Sequence, residues 1–253
     1  MSPTALVTGA SSGIGEQFAR QLAARGHDLV LVARRTERLQ ALAGELPTGG
    51  HVLVCDLGRD AHTVAERVAQ LGLEVDLLVN NAGFGSYGRV WEIEEGRDAE
   101  MVRVNCEAVV VLTRAFLPGM VARGRGGVIT VASTSGLQPL PYTATYSASK
   151  AFALRFSEAL NEELRGTGVR CLAVNPGPVT TEWSEIAGVE TERVIPGKLS
   201  AADAVREALD AYDRGKRSVI PGRMIRGLMT ATRPAPRSLQ LRVSEFIYRR
   251  VGR

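Results

Sequence analysis

Seven short apolar runs, separated by longer stretches of helical periodicity, constrain this chain more than any other feature. The runs are Ala5 to Val7, Asp28 to Ala33, His51 to Cys55, Asp76 to Val79, Gly127 to Ala132, Val169 to Val174 and Ser218 to Ile220. They show no apolar/polar alternation, which is the pattern of strands covered on both faces. Between them, Ile14, Phe18, Leu22 and Arg25 recur at helical spacing, and Thr36 to Leu46 and His62 to Leu71 follow the same style. Repeated strand–helix alternation predicts an α/β fold: one doubly wound domain, with a parallel seven-stranded sheet flanked by helices on both faces. Residues 1–222 carry this pattern, and residues 223–253 read as a basic helical extension of the same domain.

Composition narrows the function classes. With 253 residues, 45% of them hydrophobic, the chain can bury a core without disulfides or metals, and it is too apolar to be disordered. No run is expected to reach the roughly 18 apolar residues that span a bilayer. Met1-Ser2-Pro3-Thr4 lacks a basic leader, so a cytoplasmic location is expected. Cys55, Cys106 and Cys171 lie far apart among apolar neighbours and read as reduced thiols. There is no CxxC, and His27, His51 and His62 show no ligand spacing, so no metal is expected. The formal charge of +4 belongs to the tail, where eight arginines face one acid, Glu245, after residue 222. The rest of the chain sums to −3, and nucleic-acid binding is therefore not expected.

The first strand–helix turn reads Thr8-Gly9-Ala10-Ser11-Ser12-Gly13-Ile14-Gly15. Glycines there allow a tight turn and a close backbone approach to a pyrophosphate. The following helix start offers N–H groups and partial positive charge to the phosphates. A glycine trio alone is a weak signal; its place between the first strand and the first helix makes it a strong one.

Three further segments stand in order with that turn: Asn80-Asn81-Ala82-Gly83, Tyr146-Ser147-Ala148-Ser149-Lys150, and Asn175-Pro176-Gly177-Pro178-Val179-Thr180-Thr181. Together, over residues 3 to about 221, they resemble the short-chain dehydrogenase/reductase superfamily. The resemblance implies a Rossmann fold and a nicotinamide cofactor held by Gly9, Ser11, Ser12, Gly13, Ile14 and Gly15. Asn81, Ala82 and Gly83 would lie along that cofactor, Asp56 with Leu57 at its adenine, and Pro176, Gly177, Val179 and Thr181 at its nicotinamide end. The apolar residues Trp183, Ile186, Val189, Val194 and Ile195 fall in the family's substrate lid.

The cofactor form is read at the end of the second strand. Where an acid would bind a ribose hydroxyl stands Ala33, followed by Arg34 and Arg35. Arg34 presents a planar fork of donors suited to a 2′-phosphate, so NADP(H) is predicted over NAD(H). Many NADP-preferring relatives place a basic residue before the middle glycine, where this chain has Ser12.

Tyr146 and Lys150 are four apart in a helical pattern and share a face. An ammonium beside a phenol favours the phenolate, so Lys150 is expected to lower the Tyr146 pKa. By resemblance Tyr146 is the general acid/base and Lys150 also binds the nicotinamide ribose. By resemblance too, Ser133, 13 residues before Tyr146, orients the substrate oxygen, and Asn105 kinks a long helix and holds a water beside the lysine. Phe84, Tyr87, Leu137, Pro139 and Tyr142 are candidate pocket walls. The function expected is an oxidoreductase moving hydride between NADP(H) and a carbonyl or secondary alcohol, with a hydrophobic ketone or aldehyde as substrate. The alternative is a non-catalytic, NADP(H)-sensing binding protein on the same fold.

The tail predicts a helix from Arg237 to Arg250 with Leu239, Val243, Phe246 and Ile247 on one face. Two placements follow: docking on the protein or on a second subunit of a homodimer or homotetramer, or lying on anionic lipid as an interfacial helix. The first is preferred.

Overall fold

The computed structural model describes residues 2–179, 199–232 and 235–249. Strands β1 (Thr4–Thr8), β2 (Asp28–Ala33), β3 (His51–Val54), β4 (Val75–Asn80), β5 (Gly126–Val131), β6 (Val169–Val174) and β7 (Ser218–Val219) form one sheet. Its order is β3-β2-β1-β4-β5-β6-β7, with every pair parallel. The chain runs outward from β1 to β3, then returns to β4 on the other side of β1. At such a reversal the connections leave in opposite directions, and a crevice opens at the carboxyl ends of β1 and β4.

The helices are α1 (Gly13–Ala24), α2 (Thr36–Glu45), α3 (Val64–Gln70), α4 (Arg97–Val102), α5 (Ala108–Arg123), α6 (Ala144–Glu163), α7 (Ala201–Asp213), α8 (Arg223–Thr232) and α9 (Arg237–Tyr248). Successive strand residues point to opposite faces. Ala5 and Val7 join Phe18, Leu22, Leu39, Val205 and Leu209 in one core, under α1, α2 and α7. Leu6 joins Val64, Val68, Leu112, Met120 and Leu160 in the other, under α3, α5 and α6. Both faces are covered, which explains the unbroken apolar runs.

Helices α4 and α5 are one continuous helix, Arg97–Arg123, interrupted by a π-turn at Arg103–Glu107. By length and composition it could cross a membrane, with a mean hydropathy of 1.4 over its most apolar window. The expectation about apolar runs stands, since scattered polar residues break the run here but not the average. In the fold, Ala108, Leu112 and Met120 seat one face of it on the sheet.

The tail helix docks on the protein. Ser244 is buried, the Tyr87 hydroxyl donates to the main-chain carbonyl of Tyr248, and the Tyr142 hydroxyl donates to Glu245 Oε1 at 3.2 Å. Of the apolar stripe, Leu239, Val243 and Phe246 are exposed and Ile247 is partly buried. The inward face is set by polar anchors rather than by the apolar stripe. Arg250 lies outside the described residues.

Candidate active site

The crevice is built from the end of β1. Gly9 adopts φ +65°, and a Cβ there would stand 2.8 Å from Asn81 Nδ2 and 2.9 Å from Ala82 Cα. A Cβ on Gly15 would lie 2.2 Å from the Gly9 carbonyl oxygen, so the turn closes only with glycine at both places. Thr8 ties this turn to the next strand: its hydroxyl accepts from the amides of Asn81 at 2.9 Å and Ala82 at 3.0 Å and donates to Val79 O. Asn81 Nδ2 donates back to Thr8 O at 2.8 Å. The Asn81 side chain therefore fixes the floor of the crevice. Thr8 itself was not singled out by sequence, although its place in the fingerprint was the available signal.

No side chain caps the start of α1; the Ser12 hydroxyl accepts instead from Arg35 Nη2 at 2.7 Å. Arg35 also donates to Ser11 Oγ through Nε and Nη2, both at 3.1 Å. Arg34 points elsewhere and pairs with Glu100 at 3.3 Å. Both arginines line the cleft, and the guanidinium over the glycine turn is that of Arg35. Arg35 is the N-cap residue of α2, and the chain direction there turns its side chain back across β1. A cation thus stands over Ser12, where many relatives carry one in the turn itself. A helix N-terminus, a glycine turn and a guanidinium at one spot fit a phosphorylated dinucleotide.

At the other end of the cleft, Ser133 ends the extended segment after β5, and its hydroxyl accepts from the Ser135 amide at 3.0 Å. Ser133 and Tyr146 line the same end of the cleft, and the Ser133 hydroxyl acts to lower the Tyr146 pKa. Lys150, one helical turn on from Tyr146, is buried with its Nζ donating to Val131 O at 2.8 Å and 6.0 Å from the Tyr146 ring centroid. Burial lowers the Lys150 pKa to about 8. Burial also raises the Tyr146 phenol above its ordinary value, and the Ser133 hydroxyl only partly opposes it. This corrects the expected direction. The lysine is engaged with a carbonyl and itself desolvated, and removal of the phenol from water dominates.

Asn105 sits in the π-turn and is buried. Its Nδ2 donates to Phe84 O at 3.0 Å and Ser149 Oγ at 2.9 Å, and its Oδ1 accepts from Phe84 N at 3.2 Å. Both Nδ2 hydrogens are used, while Oδ1, with one bond accepted, keeps a second lone pair. Asn105 does not line the cleft; it packs behind Gly83, where an added Cβ would meet Asn105 Oδ1 at 2.9 Å and Lys150 Nζ at 3.2 Å.

These ends bound one cleft of about 500 Å³. Gly9, Ser11, Ser12, Gly13, Ile14, Asp56, Leu57, Asn81, Ala82, Gly83, Ser133, Tyr146, Lys150, Pro176, Gly177 and Val179 all line it. Gly15 does not; it is the crossing point of α1 against the turn. Asp56 Oδ1 accepts from Gly58 N at 3.0 Å and so closes a local turn at the cleft wall. Thr181, Trp183, Ile186, Val189, Val194 and Ile195 lie outside the described residues. Of the candidate pocket walls, only Phe84 lines the cleft; Leu137 and Pro139 line a separate cavity, and Tyr87 and Tyr142 hold α9. Sequence reading missed Tyr248, which reaches the cleft wall from α9.

The family model of the short chain dehydrogenases matches residues 3–189. A very-long-chain 3-oxoacyl-CoA reductase of Pyrenophora tritici-repentis is 37% identical over 79% of this chain and 61% of its own length. The chain thus spans about three fifths of that relative. An NADP-dependent 3-hydroxy acid dehydrogenase (YdfG) of Salmonella typhi is 41% identical over 72% of this chain and 75% of its own. Among solved structures, a short-chain dehydrogenase from Sphingobium yanoikuyae in complex with NADPH superposes with a TM-score of 0.83 at 34% identity, covering 94% of both chains.

Proposed function

The chain belongs to the short-chain dehydrogenase/reductase superfamily of oxidoreductases, and from that membership we propose that it interconverts a hydrophobic ketone or aldehyde with its alcohol. The cofactor is NADP(H), which supplies or accepts the hydride when bound. Arg35, with Ser11 and Ser12, holds the 2′-phosphate end; Asn81, Ala82 and Gly83 bear on the cofactor between the two ends of the cleft. Ser133 accepts or donates at the substrate oxygen and orients it. Tyr146 then moves a proton to that oxygen during reduction, or from it during oxidation.

The raised Tyr146 pKa makes its neutral, proton-bearing form the resting one, as a proton donor for reduction requires. Lys150 is buried directly behind Tyr146 and Gly83, with an ammonium that turns over near neutral pH. Its place suits it to recharge Tyr146 after each transfer, through a water held by Asn105.

The observation that carries this reading is that Ser133, Tyr146 and buried Lys150 line one end of the cleft whose far end holds Arg35. The relatives' names, a 3-oxoacyl reductase and a 3-hydroxy acid dehydrogenase, support a carbonyl/alcohol pair. Steady-state NADPH oxidation over a panel of hydrophobic ketones and 3-oxo esters tests it. Turnover lost in Tyr146→Phe is expected. NADPH binding with no turnover of any carbonyl would leave the sensing protein instead. Exposed Val121 on α5 and Phe152 on α6 support a homo-oligomer; light scattering at the monomer mass would reject it.

A further inference from the structure

Helix α9 is anchored beside the site by polar contacts that sequence separation hides. The Tyr87 hydroxyl donates to the Tyr248 carbonyl, and the Tyr142 hydroxyl donates to Glu245 Oε1 at 3.2 Å. Arg249 Nε holds the same carboxylate oxygen at 2.7 Å. The rings of Tyr87 and Tyr142 stack with centroids 5.9 Å apart. Tyr142 has φ +64°, the only non-glycine residue in that region among those described, so the loop is held against its backbone preference. These contacts fix the last turn of α9, and its end delivers the Tyr248 side chain to the cleft wall. There Tyr248 joins Phe84, Ser133, Ser135 and Tyr146 as a lining residue. Ser135 is the residue whose amide holds Ser133. The ring therefore stands at the Ser133–Tyr146 end of the cleft, not at the Arg35 end.

We propose that Tyr248 is a specificity-determining residue, which closes the substrate end of the cleft against ketones bearing two bulky substituents. The inference rests on the carbonyl reduction proposed above. The helix end that carries this phenol is held at its backbone by Tyr87 and through Glu245 by Tyr142, so the ring stays against the cleft wall. A large second substituent on the carbonyl carbon meets that ring, whereas a methyl group does not. The docked tail thereby becomes part of the site, although nothing in its basic composition announces it.

The test compares acetophenone with benzophenone as substrates, with NADPH, in the full-length protein. Removing the ring in Tyr248→Ala is expected to raise the benzophenone to acetophenone ratio of kcat/KM by about tenfold or more, mainly through KM for benzophenone. Tyr248→Phe keeps the ring and is expected to leave the ratio within roughly threefold of wild type. Glu245→Ala releases the Tyr142 anchor without touching the cleft and is expected to move the ratio in the same direction. It serves as the test if Tyr248→Ala does not fold. An unchanged ratio in a folded Tyr248→Ala protein overturns the inference while leaving the proposed function intact. If the wild type reduces no carbonyl at all, the proposed function falls first and this inference with it.

Discussion

Arg35 donates a 2.7 Å hydrogen bond to the hydroxyl of Ser12, 23 residues earlier, across the end of β1. The cation that the glycine turn lacks is supplied by the next strand–helix junction. Arg34, its neighbour, is spent on Glu100. Both guanidiniums line the cleft, one over the glycine turn and the other against Glu100.

Arg35→Ala is expected to weaken NADPH binding by roughly tenfold to a hundredfold, the worth of a charge-assisted hydrogen bond, and to change NADH binding little. Arg34→Ala is expected to cost less. Fluorescence titration of both variants with both cofactors checks the order. A larger loss at Arg34 would show that the arginines exchange roles on binding.

Tyr146→Phe keeps the ring and removes the proton. Turnover is expected to fall by about a hundredfold to ten-thousandfold, with the NADPH Kd little changed. Stopped-flow and binding measurements on one preparation separate the two effects. Persistent turnover would move the proton donor to another group of the cleft.

Lys150 gives a pH signature. Its folded pKa is lowered from 10.5 to about 8, so between those values the unfolded chain binds a proton that the folded protein has released. Stability contributed by this group therefore rises with pH across the window from 8 to 10.5 and is least below 8. Against Lys150→Met, the wild type is expected to gain about 2.5 kcal/mol between pH 7 and pH 10. Denaturant unfolding of both proteins at the two pH values measures it, and a difference that does not move with pH would place the titrating ammonium elsewhere.

Two glycines make a paired test of packing. Gly15→Ala forces a methyl group to 2.2 Å from the Gly9 carbonyl oxygen, and overpacking of this kind costs about 1–3 kcal/mol. NADPH affinity should fall with it, because the turn must open. Gly44, on α2, has no atom within 4 Å of an added Cβ. Gly44→Ala should stabilise by about 0.5–1 kcal/mol. Thermal melts of the two variants should shift in opposite directions.

Much of this was written in the chain. Each of the seven apolar runs coincides with a strand to within one residue at either end, because a strand buried on both faces needs unbroken apolar character. The turn at Gly9 to Gly15, the Asn81-Ala82-Gly83 segment and the Tyr146–Lys150 spacing are local patterns of one strand end or one helix face. Such patterns can be read in one dimension, and they carried the fold, the family and most of the cleft.

What the tertiary structure decided depends on contacts between distant residues and on removal from water. Ser12 and Arg35 meet only because β1 and β2 lie side by side. The direction of the Tyr146 shift turns on burial, which no spacing of lysine and tyrosine encodes. Asn105 is a packed anchor for Phe84 and Ser149 rather than a cleft wall, since the π-turn points it inward. Tyr248 enters the site through hydroxyls on Tyr87 and Tyr142 that belong to a loop far back in the chain. Sequence periodicity sets which elements form; the register of the sheet and the docking of the last helix set which side chains share the cleft.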